Sequence, residues 1–64
     1  MAYAIRQARR LAGMTQAELA QKSGVSRAII NGLETGRCVV TKTDTLAKLA
    51  SALGVTVDAL FFAD

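Results

Sequence analysis

Histidine, proline and tryptophan are absent from these 64 residues, and cysteine occurs once, at Cys38. A lone thiol closes no intramolecular disulfide, and without histidine or a second cysteine it builds no zinc site. Cys38 reads as an ordinary free thiol, and neither a metal nor another cofactor is expected. The same shortage argues against catalysis. No histidine can serve as general base, the cysteine has none beside it, and neither a phosphate-cradling glycine loop nor a pair of convergent carboxylates is present. No apolar run approaches the roughly 20 residues of a membrane span. Arg6, Arg9 and Arg10 stand where a signal peptide would need its apolar stretch, so a soluble cytoplasmic protein is expected.

What is present favours a folded, all-α chain. Apolar residues make up 52% of the sequence, enough for burial to offset the entropy of ordering. Aromatics are few, and alanine and leucine outnumber the β-branched residues that sheets prefer. The length allows one domain, spanning 1–64, near the lower limit for a core without staples. Charge is unevenly spread. Residues 1–42 carry seven Lys/Arg against Glu18 and Glu34, a net +5, whereas residues 43–64 carry Lys48 against Asp44, Asp58 and Asp64, a net −2. A basic half suits a polyanion, although a solvated face would look the same.

Glycines punctuate the chain. Gly13-Met14-Thr15, Gly24-Val25-Ser26 and Gly54-Val55-Thr56 repeat one triplet of glycine, apolar residue and hydroxyl residue. Glycine suits a helix end, the hydroxyl suits the next N-cap, and the apolar residue staples the junction to the core. Thr15-Gln16-Ala17-Glu18 adds the capping-box pattern. The helices predicted are 2–12, 16–23, 27–35, 43–53 and 57–61. Gly36 closes the third, and Thr41 or Thr43 is expected to cap the fourth after the loop 37–42. Ile5, Ala8, Leu19, Ala20, Val25, Ile30, Leu33, Leu46, Leu49, Ala50, Leu53, Val57, Leu60 and Phe61 recur at helical spacing and are the expected core.

Helices two and three, joined by Gly24-Val25-Ser26 alone, have the short turn that forces a steep crossing, the helix-turn-helix geometry. Met14-Thr15-Gln16-Ala17-Glu18-Leu19-Ala20, Gly24-Val25-Ser26, Ile30, Leu33-Glu34 and Gly36 resemble the phage-repressor and Cro (XRE) family of regulators. Leu46, Leu49-Ala50 and Ala52-Leu53-Gly54-Val55 extend the resemblance over nearly the whole chain. It implies a five-helix phage-repressor-like domain that binds operator DNA as a homodimer, with residues 26–35 as recognition segment and repression as the expected role. It also implies a phosphate contact from Gln16 and a partly buried ion pair between Arg9 and Glu34. The chain departs from the family at 39–41, where a proline is common, and at Gly32, where a longer polar side chain is usual.

A wheel on the third helix, with Ile30 inward, turns Ser26, Leu33 and Glu34 to the inner side and Ala28, Asn31, Gly32 and Thr35 outward, flanked by Arg27 and Ile29. Arg27, Ala28, Ile29, Asn31 and Gly32 are the candidate base contacts, because N-terminal outward residues of such a helix reach base edges. Gly32 is the one glycine that ends nothing, and the space it leaves suits a close approach to DNA. Gln16, Arg37 and the loop around Cys38 are the candidate phosphate contacts. At the far end Leu60, Phe61 and Phe62 supply more apolar surface than one turn needs, and are the candidate dimer interface. An antitoxin-like or adaptor module, binding chiefly another protein and only secondarily DNA, is the alternative reading.

Overall fold

The computed structural model describes residues 3–37 and 42–61. Among the described residues four α-helices follow one another, α1 (Ile5–Leu11), α2 (Gln16–Ser23), α3 (Arg27–Thr35) and α4 (Thr43–Leu53), and are followed by one 3-10 turn, Asp58–Leu60. Among the described residues there is no strand, and no helix is long and apolar enough to cross a membrane. α2 packs on α3 and α4, and α1 closes against α3 and α4.

Local chemistry accounts for where these helices begin and end. At α2, Thr15 Oγ1 accepts from the Glu18 amide at 3.1 Å while Glu18 Oε1 accepts from the Thr15 amide at 3.0 Å, so two otherwise orphaned donors are satisfied. Ser26 caps α3 in the same way, its Oγ accepting from the Ile29 amide at 3.2 Å. Between them Gly24 takes φ +77°, in the left-handed region, and its amide donates back to the Ala20 carbonyl. That conformation reverses the chain within three residues and sets α3 across α2.

Ile5, Leu19, Ile30, Leu33, Leu49 and Leu60 are fully buried, so every helix and the final turn contribute to one core. Each such side chain contributes about 1.5–3 kcal/mol of burial free energy. Ala52 is also buried, a position the sequence pattern passes over because it lies beside the main stripe of α4.

The termini differ from the sequence expectation for one shared reason. α1 starts at Ile5, because the Ala4 amide donates to the Leu60 carbonyl at 2.8 Å and the Tyr3 ring tilts against Phe61 with centroids 5.7 Å apart. These long-range contacts set the direction of residues 3 and 4. The expected fifth α-helix is a 3-10 turn: Leu60 donates to Val57 and Phe61 to Asp58 at i→i+3 spacing, with Thr56 Oγ1 accepting from Ala59 at 3.3 Å. Phe61 is then extended, so the segment ends before an i→i+4 ladder forms. α4 has Lys42, rather than Thr41 or Thr43, at its N-cap, with no side-chain capping bond; Thr43 is its first residue, and Thr41 lies outside the described residues.

Candidate nucleic-acid interface

α3 presents two contrasting faces. Ile30 and Leu33 are buried completely, whereas Arg27, Ala28, Ile29 and Asn31 are exposed and share the opening turns of the helix. Ile29 is 42% exposed, an unusual position for a branched apolar side chain in a chain this short of core. Thr35, on the same side, donates its hydroxyl to the Asn31 carbonyl at 2.9 Å. The Asn31 side-chain amide and the Arg27 guanidinium make no protein hydrogen bond among the described residues. Gly32 is half-buried, less open than the wheel suggests. It offers only backbone atoms, and the neighbouring turns of a helix shield those.

Beside this face the structure brings together three residues that are far apart in sequence. Arg9 Nε donates to Glu34 Oε2 at 2.8 Å and Nη2 to Glu34 Oε1 at 3.1 Å, a two-pronged ion pair joining α1 to the last turn of α3. Nη1 donates to the Met14 carbonyl at 2.8 Å, which anchors the α1–α2 junction. Gln16 Nε2 donates to the same Glu34 Oε1 at 3.2 Å, so the side chain opening α2 is held in place by the end of α3. Only 3% of the Glu34 side chain and 13% of Arg9 are exposed.

The electrostatics follow from that packing. Burial pushes the Glu34 carboxyl up, but hydrogen bonds from Arg9 and Gln16, with the charges of Arg9 and Arg6, outweigh it and hold the group below the usual carboxylate range. The hydrogen bond to Glu34 correspondingly raises Arg9, against a smaller opposing effect of burial. Arg37 is exposed just beyond Gly36, which ends α3 with φ +82°. Cys38 lies outside the described residues, as does Phe62.

At the far end, Leu60 does not form part of an open surface. Its side chain is completely buried in the core, which removes it from the expected dimer interface; it is the anchor that seals the last turn onto the helices. Phe61, in contact with Tyr3, is 38% exposed. Sequence pattern alone misses the tie between Gln16 and Glu34, because a bond across 18 residues leaves no local signal.

The helix-turn-helix family model matches residues 5–60, from the first residue of α1 to the last of the 3-10 turn. The chain belongs to the helix-turn-helix family. Within it the chain is of the XRE type, the phage-repressor and Cro kind, and is a DNA-binding regulator. No solved structure matches the chain. In this helix-turn-helix unit, α2, Gly24-Val25-Ser26 and α3 are the motif, while α1 and α4 bury its apolar side.

Proposed function

We propose that this regulator binds its operator as a homodimer and represses transcription, with α3 lying in the major groove. The observation that carries the reading is the open first half of α3, where Arg27, Ala28, Ile29 and Asn31 stand exposed around a helix start capped by Ser26. Arg27 bonds guanine in the two-pronged manner, Asn31 does the same with adenine, and Ala28 or Ile29 touches a thymine methyl. Gly32 lets the DNA come close to the helix backbone. Gln16, with the free amides at the start of α2, and Arg37 past α3 grip the flanking phosphates, which orient the helix but carry little sequence information. Cys38 belongs to the same proposed phosphate-binding stretch.

Dimerisation is assigned to the C-terminal end, through Phe61 and Phe62. Partial exposure of Phe61 supports this, and a two-fold axis there sets two recognition helices on one face, ~34 Å apart. Selection of bound duplexes from a random pool tests the reading as a whole. The expected product is a pair of inverted half-sites about one helical turn apart; a pool that stays random overturns sequence-specific binding, and a single unpaired half-site overturns the dimer.

A further inference from the structure

α1 carries three arginines on one side, and only Arg9 has a role in the contacts described so far. With Ile5 inward and about 100° per residue, Arg9, Arg6 and Arg10 cluster within ~100° of one another. Ala4, Ala8, Leu11 and Ala12 lie on the opposite side, where they line an apolar groove with Leu53, Val55 and Ala59. The arginine side therefore turns away from α4 and the last turn, toward the start of α2 and the end of α3. Arg9, which reaches Met14, Glu34 and, through Glu34, Gln16, fixes that direction.

This placement answers an electrostatic difficulty. A phosphate approaching Gln16 also approaches Glu34, because the Glu34 Oε1 that holds the Gln16 amide lies 3.2 Å from it. Arg9 cancels the Glu34 charge, and a neutral pair does not attract an anion. Arg6, one turn before Arg9, is exposed and makes no ion pair among the described residues. It leaves the cluster of Arg6, Arg9, Glu34 and Gln16 with a net positive charge. Its proximity is consistent with the part its charge plays in holding the Glu34 carboxyl low.

We infer that Arg6 is a further phosphodiester contact, so that α1 lies along the DNA backbone beside the start of α2 and its guanidinium donates to a phosphate oxygen. The inference rests on the DNA-binding reading. A purely structural role competes with it: α3 has no basic residue in its last turn, and an arginine from α1 near that end would offset the helix dipole. The two roles differ in salt dependence, since a phosphate contact displaces condensed counterions and a helix-dipole contact does not.

The test is binding of fluorescent random-sequence duplex across a salt series by wild type, Arg6→Gln, Arg6→Lys and Lys22→Gln, with thermal melting of each protein. Lys22 is exposed near the far end of α2, and its replacement removes the same unit of charge. For Arg6→Gln the slope of log affinity against log salt becomes shallower by about 1. Arg6→Lys keeps the wild-type slope, and so does Lys22→Gln. An unchanged slope for Arg6→Gln overturns the inference, as does an equal change for Lys22→Gln, which would mark a net-charge effect. A wild type that binds no duplex at low salt overturns the DNA-binding reading itself, and is told apart by that absence.

Discussion

Arg9 and Glu34 bear the largest consequence of any single pair, because a nearly buried carboxylate has its charge compensated by one guanidinium. Arg9→Met strands that carboxylate and lowers stability by about 3–5 kcal/mol, whereas replacing both partners with apolar residues costs less. Urea denaturation of the single and double variants checks the order. Acid acts on the same pair. Because Glu34 ionises more readily in the folded chain than in the unfolded one, its contribution is complete above the unfolded value of about 4.3 and is lost as pH falls through the lower folded value. Wild-type stability should therefore fall more steeply than that of Glu34→Gln across the acid range in pH-dependent melting. On α3, Arg27→Ala is expected to weaken binding to the selected operator more than to random duplex. A base contact carries discrimination, and equal losses on both DNAs would reduce Arg27 to a backbone contact.

At the scale of elements, the start of α2 and the turn into α3 decide whether the motif keeps its crossing. Thr15→Ala removes the half of the capping box that Thr15 Oγ1 supplies, the bond from the Glu18 amide, while the backbone amide of residue 15 still reaches Glu18, and it is expected to cost about 1 kcal/mol. At Gly24 a methyl group would meet nothing within 4 Å, so the cost of Gly24→Ala is conformational alone, about 1–2 kcal/mol for a left-handed residue. If calorimetry shows Gly24→Ala to be neutral, the left-handed turn is not what holds the α2–α3 crossing. Both junctions were legible in the sequence because glycine and a capping hydroxyl act within four residues. The last segment was not legible in the same way: Thr56-Val57-Asp58-Ala59-Leu60 satisfies a helix pattern, yet the Leu60 carbonyl is taken by Ala4 and the segment stops as a 3-10 turn.

For the whole molecule, 64 residues at about 0.05–0.15 kcal/mol each give roughly 3–10 kcal/mol of stability in all. A single core truncation is of the same order. Leu49→Ala, at a fully buried position, should cost about 2–5 kcal/mol and leave a large unfolded fraction at ambient temperature by circular dichroism. Assembly is decided at this scale too. With Leu60 inside the core, the proposed dimer depends on Phe61 and Phe62, and Phe62→Glu is expected to keep the helical content while shifting sedimentation to the monomer and weakening binding to an inverted repeat. An unchanged dimer moves the interface away from this end.

The helical class, the three glycine junctions, the capping box and the inward stripe of Ile30 and Leu33 can be read along the chain alone, because all of these depend on residues within a turn or two of each other. Helical periodicity also sorts one face of α3 from the other, turning Ala28, Asn31, Gly32 and Thr35 outward with Arg27 and Ile29 flanking them; all of these are exposed except Gly32, which is half-buried. What joins distant positions comes from the packing of the helices: the hold of Glu34 on Gln16, the seat of Leu60 in the core, and the contacts of Tyr3 and Ala4 ahead of α1. Each of these depends on which helices cross and at what depth a side chain is buried, and periodicity along the chain does not encode the distance between its ends.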